Sequence, residues 1–341
     1  MARSGSDNIR IKRRYLLWLG EAKGLSEASI DKAAAAIDRW IAFIGGADLR
    51  RFHTEKAVAF KCALERERTG ASAVLSSASR EAILRELRAF FLWLADQPGF
   101  RARIRHADAA WFTPDRRDAR AAHRGQWRPH PSPEQIRAAI LNMGEATIFD
   151  RRDRALMALL LLTGSRETAA MTLRLRHVDL ANHCVQFDGR DVRTKFGKRF
   201  TTFFFPVGAE ISAILAEWVR ELRGDLLFGP DDPLFPRTEV RRGTNGGFEP
   251  AGLSPEPWRA PGSVTRIFKG AFLALGLPPF APHSVRKTLT DLASAHCRTP
   301  EEFKAWSQNL GHDDVLTTFH SYGTLSPGRQ RELIRAFSAE A

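Results

Sequence analysis

Apolar residues recur at helical spacing through most of the first hundred positions. Tyr15, Leu16 and Leu19 mark a short helix. Ser26 is placed to cap a second one through Ile30, Ala34, Ile37, Trp40 and Ile41, stopping at Gly45-Gly46. Thr54 is placed to cap a third, running to about Arg68. A fourth, beginning at Ser77 or Ser79, lines up Ile83, Leu84, Leu87, Phe90, Phe91 and Leu94 on one face. This stretch is expected to be wholly helical, and four such helices make a small bundle. The pattern then lapses. Residues 101–128 hold eight arginines against three aspartates and no periodic apolar face. They read as an extended basic linker, lying along a phosphate backbone or serving as a solvated tether.

Periodicity resumes where Ser132 can cap and Pro133 can occupy the first turn of a helix through Ile136 and Ile140. A helix over Arg152 to Leu162 contains the longest aliphatic run, Ala155 to Leu162, which is too short to cross a bilayer and reads as buried. It ends at Thr163-Gly164, and Arg166 begins the next helix, with Ala169, Ala170 and Leu173. Strand-like segments follow at Cys184 to Phe187, at Val192 to Thr194 leading into a Phe196-Gly197 turn, and at Phe200 to Phe205. Helices return at Ala209 to Leu222, Val264 to Leu275 and Val285 to His296. The Gly- and Pro-rich stretch 224–262 reads as a surface insertion. After residue 327, Leu333, Ile334 and Phe337 share a face of a short tail helix. The expected fold is mainly α with a small antiparallel β-sheet. Its expected parts are a helical domain over 1–110, a basic linker over 111–130 and a second domain over 131–341.

At 341 residues and 43% hydrophobic, the chain can bury two cores and is not a disordered tail. Lys and Arg outnumber Asp and Glu, 52 to 39, for a net charge of +13, which favours a polyanionic partner through counterion release. Cys62, Cys184 and Cys297 match no metal or disulfide spacing and fit a reducing compartment. Met1 to Arg14 is polar and basic, unlike a signal peptide. A cytoplasmic protein without a membrane partner is expected. Because helices begin within about fifteen residues, no large separate amino-terminal module is expected.

Candidate chemistry gathers late in the chain. His283-x-x-Arg286, then Leu310-Gly311-His312, then Tyr322 follow one another, and Tyr322 is one of two tyrosines beside 23 phenylalanines. Thr163-Gly164-Ser165-Arg166 and Thr194-Lys195-Phe196-Gly197-Lys198 add further cations upstream. Such a set suits attack of a phenol on a DNA phosphate. A guanidinium pair can stabilise the non-bridging oxygens, and a lysine or histidine can protonate the leaving alkoxide. Each element has a plainer reading: Tyr322 as packing, Lys195 in a solvated hairpin, Leu310-Gly311-His312 as a helix C-terminus with a dipole-facing histidine.

In this order the motifs resemble the tyrosine recombinase (phage integrase) family. Thr163 to Arg166 resembles its Thr-Gly-x-Arg, Lys195 its sheet lysine, His283 to Arg286 its His-x-x-Arg, and Leu310 to His312 its Leu-Gly-His. Thr317-Thr318 resembles the pair ahead of the tyrosine. The first domain resembles the family's SAM-like core DNA-binding bundle, and the second its catalytic domain. The resemblance implies Tyr322 as nucleophile, Arg166 and Arg286 as the phosphate clamp, and Lys195 as acid to the leaving 5′ oxygen. His283 would shuttle the tyrosine proton or hold the phosphate, and His312 would hydrogen-bond a non-bridging oxygen. It implies double-stranded DNA as partner, a homotetramer on that DNA, no cofactor and no metal. The tail helix would dock on a neighbouring subunit, or pack on its own domain. Lys198 is the rival to Lys195, and His320 is a neighbour of the tyrosine. Two positions depart from the family: Ala169 stands where an acid is usual, with Glu167 expected to face elsewhere, and the His312–Tyr322 spacing is one residue longer. Strand relaxation of the type IB topoisomerase kind and a catalytically inactive DNA-binding relative are the competing readings.

Overall fold

The computed structural model of the chain describes residues 3–69, 73–114, 129–194, 197–243 and 246–312. The chain divides into two compact units, Met1–Arg124 and Gly125–Ala341. Among the described residues no helix is long and apolar enough to cross a membrane.

The first unit is built on α1 (Arg3–Glu21), α2 (Glu27–Phe43), α3 (Thr54–Arg66) and α4 (Ser77–Ala95). α1 is far longer than its three apolar markers suggested. Ser26 sits at the N-cap of α2, and Thr54 is the first helical residue of α3 rather than its cap. The cap of α4 is Ser76, whose Oγ accepts from the Ser79 N–H at 3.2 Å. The expected faces are buried: Ile37 and Trp40 from α2, and Leu87, Phe90, Phe91 and Leu94 from α4. Trp40 meets Phe60, Phe91 and Phe112 edge-on at 5.3, 5.7 and 5.1 Å, a geometry that suits the ring quadrupoles.

Two expectations for this region need correction. It is not wholly helical, because β1 (Arg68–Thr69) and β2 (Ala73–Val74) pair antiparallel. The start of the supposed linker also belongs to this core. A 3₁₀ segment over His106–Phe112 buries Ala109 and Phe112, and Phe100 and Ile104 precede it into the interior. Arginines at 101, 103 and 105 masked an apolar pattern carried by only four side chains. Residues 115–128 of the expected linker lie outside the described residues.

The second unit is organised around α6 (Ile148–Thr163), in which every residue from Ala155 to Thr163 is buried. A helix apolar on all sides has to be central. α5 (Pro133–Leu141) opens on the expected Ser132 cap, with Gln135 completing a capping box. After α6 come the single-turn α7 (Glu167–Ala170) and an antiparallel sheet in the order β3 (Val178–Asp179), β4 (Cys184–Phe187), β5 (Phe200–Phe203). Val192 to Thr194 is not a strand, and the expected segment through Phe205 ends at Phe203. Just past β5 the Phe205 N–H donates to the Leu162 carbonyl at 2.8 Å, tying the sheet to the end of α6. α8 (Ala209–Gly224) lays Ile211, Leu215, Trp218, Val219 and Leu222 into the same core.

The stretch 224–262 holds a long hairpin, β6 (Pro236–Arg242) with β7 (Phe248–Pro257). Most of its strand residues are exposed, but its base is fixed to the core. Leu234 and Phe235 are fully buried. Arg152 of α6 donates to the Pro236 carbonyl and to Thr238 Oγ1, both at 3.0 Å, and its guanidinium lies 4.8 Å from the Trp258 ring. α9 (Gly262–Leu273), α10 (His283–His296) and α11 (Pro300–Asn309) complete the described fold. The Thr299 capping box opens α11. The expected tail helix after residue 327 lies outside the described residues.

Candidate active site

The end of α6 sets the first wall of the site. Gly164 takes a left-handed conformation (φ 58°) that terminates the helix and turns the chain. A side chain there would also collide, since a Cβ would sit 2.8 Å from Leu310 Cδ2 and 2.9 Å from Leu289 Cδ1. The turn is braced from within. Thr163 Oγ1 donates to the Leu159 carbonyl at 2.7 Å and accepts from the Ser165 N–H at 3.2 Å. Arg166 follows in extended backbone at the N-cap of α7.

The second wall is α10. Arg286, 7% exposed, donates from Nη1 to the Gly164 carbonyl at 2.5 Å and from Nη2 to the Leu310 carbonyl at 2.7 Å. The same Nη2 lies 2.8 Å from His312 Nε2. One guanidinium thus joins the residues after α6, α10 itself and the residues after α11. The third wall is the cap of α11, where Gly311 (φ 70°) reverses the chain and the His312 N–H reaches back to the Ser307 carbonyl at 3.2 Å. The plain expectation for Leu310-Gly311-His312 as a helix C-terminus therefore holds, and the histidine is aimed at Arg286 as well.

Arg166 and Arg286 line one cleft together with Thr163, Ser165, Ala169, Phe187, Arg193, Thr194, Phe200 and Leu310. Burial pulls the Arg286 guanidinium down to about 9, and the nearby charge of Arg166 pulls the same way. Burial also lowers Arg166, against a smaller opposing pull from Glu167. Arginine keeps its proton in proteins, so these directions measure how poorly the cations are solvated. The cleft therefore favours an anion. Glu167 does not line the cleft, although its charge acts on Arg166, and Ala169 sits in the cleft wall.

His312 lines a neighbouring groove of about 580 Å³ with Lys198, Arg199, Gln308 and Asn309. The Asn309 side chain pins β5 there, accepting from the Phe203 N–H at 2.7 Å and donating to its carbonyl at 2.9 Å. Thr194, the last described residue before Lys195, donates from Oγ1 to the Lys198 carbonyl at 2.9 Å. His283 is the first residue of α10 and is exposed, and it does not line the cleft. Lys195 and Tyr322 lie outside the described residues, as do Thr317, Thr318 and His320. Two cleft residues had no role assigned from sequence. Arg193 adds a third cation, and Ser165 is 8% exposed with no hydrogen-bond partner for its Oγ among the described residues. Ser165 stood inside the quoted motif but at its variable position.

No family model matches the chain. It is 29% identical over 168 residues to the tyrosine recombinase XerD of Pseudomonas aeruginosa, covering 49% of this chain and 48% of that one. To XerD of Pseudomonas putida it is 27% identical over 178 residues, 52% and 50% of the two chains. The chain thus spans about half the length of the curated relatives it matches. Three solved structures share the fold across most of the chain. The Tn1549 transposon integrase in complex with transposon right end DNA superposes with a TM-score of 0.65 at 15% identity, covering 97% of this chain and 99% of that one. XerH recombinase bound to palindromic difH substrate gives 0.61 at 16%, covering 93% and 82%. A lambda integrase dimer bound to a COC' core site gives 0.61 at 17%, covering 92% and 94%. The architecture is the integrase fold. Sequence and fold alike align this chain with the tyrosine recombinases.

Proposed function

We propose that this protein is a site-specific tyrosine recombinase that cuts and rejoins double-stranded DNA, serving a mobile genetic element. The observation that carries the reading is the meeting of Arg166 and Arg286, from two separate segments, in one cleft lined by no carboxylate among the described residues, with His312 of a third segment held against Arg286 from the neighbouring groove.

In this reading a backbone phosphate sits against Arg166 and Arg286, whose donors follow the charge that grows on the non-bridging oxygens. The Tyr322 oxygen attacks phosphorus in line. The new bond is Oη–P, and the bond to the 5′ oxygen breaks. The family resemblance gives the phenolic proton, or a hold on the phosphate, to His283, which stands exposed at the start of α10 outside the cleft lining, and Lys195 supplies a proton to the departing 5′ oxygen. His312 donates to a non-bridging oxygen while its contact with Arg286 holds the ring. The phosphotyrosine keeps the bond energy, so a 5′ hydroxyl from a partner strand reverses the step without ATP. Two rounds through a Holliday junction, in a tetramer on DNA, complete the exchange. The net charge of +13 serves phosphate contacts that hold the duplex without reading its sequence.

The test is incubation with nicked duplexes drawn from the DNA flanking its own gene, followed by a denaturing gel. A covalent protein–DNA band is expected from the wild type and none from Tyr322→Phe. A band that survives Tyr322→Phe removes the nucleophile. Relaxation of plasmids lacking any particular site would favour a type IB topoisomerase instead.

A further inference from the structure

Several polar groups of the turn 163–166 are engaged inside the protein. The Thr163 hydroxyl, the Ser165 N–H and the Gly164 carbonyl each have a partner inside the protein. Among the described residues, the buried Ser165 hydroxyl has none. A buried hydroxyl without a partner is a standing cost to the fold, and native structures rarely keep one without a use for it. This one belongs to a residue that lines the cleft beside Arg166, Arg193 and Arg286.

We propose that the Ser165 hydroxyl is a hydrogen-bond donor to the phosphate group that the cleft accepts between Arg166 and Arg286. The assignment rests on the recombinase reading and deepens it by adding a substrate contact. Serine suits the place for two reasons. Its hydroxyl swings among three staggered positions about one bond, so it can turn from the wall toward a bound oxygen. It also adds a donor without adding charge, where two guanidinium groups already repel each other. Because Ser165 precedes Arg166 directly, and its own N–H is fixed by Thr163, the hydroxyl and the guanidinium approach the anion from one rigid turn.

The experiment measures binding of inorganic phosphate to the full-length protein at constant ionic strength, by its effect on the melting temperature. Wild type is compared with Ser165→Ala, Ser165→Thr and Arg166→Ala. Ser165→Ala should weaken phosphate binding roughly ten- to a hundredfold, the range for a hydrogen bond to a charged group. Its melting temperature without phosphate should be unchanged or higher, since an unpaired polar atom leaves the interior. Ser165→Thr, which keeps the hydroxyl, should restore binding. A merely structural serine would give the opposite pattern, a lower melting temperature with binding intact, and that result overturns the assignment. Full binding by Ser165→Ala alongside loss in Arg166→Ala also overturns it, while leaving the anion cleft and the recombinase reading standing. A wild type that binds no phosphate overturns it too, and the covalent-adduct test on Tyr322 then decides the broader reading independently.

Discussion

Replacing Gly164 with alanine should damage fold and site together. The backbone there is left-handed, and a non-glycine residue in that conformation costs about 1–2 kcal/mol. The new Cβ would lie 2.8 Å from Leu310 Cδ2, 2.9 Å from Leu289 Cδ1 and 3.8 Å from Phe205 Cε2. Leu289 and Leu310 are buried, so neither can swing into solvent, and overpacking of this kind costs about 1–3 kcal/mol. Together these give a loss of roughly 2–5 kcal/mol. For a unit of this size that lowers the melting temperature by on the order of 5–15 °C. The readout is calorimetry of the full chain, following the transition of the second unit. Gly224→Ala is the control, because a Cβ there meets open space near the end of α8. It should change stability by no more than about 1 kcal/mol. Relief of the clash moves Leu310 or Gly164, whose carbonyls hold Arg286, so DNA cleavage should fall along with stability. A Gly164→Ala protein within about 0.5 kcal/mol of wild type would refute the account of this turn, since ordinary surface changes fall in that range.

Other outcomes follow from buried charges. Arg152→Ala removes the partner of Asp153 and the tie to the hairpin base, and should cost about 3–5 kcal/mol near neutral pH. Burial already holds the Asp153 carboxyl above its usual range, with Arg152 opposing. The penalty for its charge is therefore absent below an ordinary aspartate pKa and develops as pH rises, so the variant's deficit should be smaller at about pH 3.5 than at about pH 8, on either side of that range. Urea midpoints at the two pH values check this, and an equal deficit would contradict it. His177 is held below its ordinary pKa, first by burial and next by Arg176, with its Nδ1 accepting the Arg174 N–H at 2.9 Å. Its contribution is complete above about 6.5 and is lost as pH falls through the lowered value. His177→Asn should accordingly flatten the decline of melting temperature on acidification, and a slope identical to wild type would count against the burial of a neutral ring.

Legibility of the chain followed how many residues carried each signal. α4 shows six apolar residues on one face and α6 an unbroken aliphatic run, so both helices could be read directly. The Ser132-Pro133 start of α5 was readable from capping chemistry alone. The hairpin β6–β7 was hidden because most of its strand residues are exposed and three prolines fall within β7, which removes the alternation that marks a half-buried strand. The 3₁₀ segment over His106–Phe112 was hidden by charge, its core contribution resting on few side chains among many arginines. In the site, Arg166, Arg286 and His312 could be named from motif spacing, but their meeting depends on backbone acceptors at Gly164 and Leu310 that no spacing discloses. Arg193 and Ser165 emerged only from position, since neither residue type at those places stands out in a basic chain.

The way Arg286 is held has one more consequence. Its anchors are two peptide oxygens, which carry no proton to gain or lose at any pH the fold survives. A carboxylate in their place would neutralise the cation and would let go in acid. Neutral anchors leave the positive charge uncancelled, and these two holds on it do not loosen with acid, unlike its third contact, the imidazole of His312.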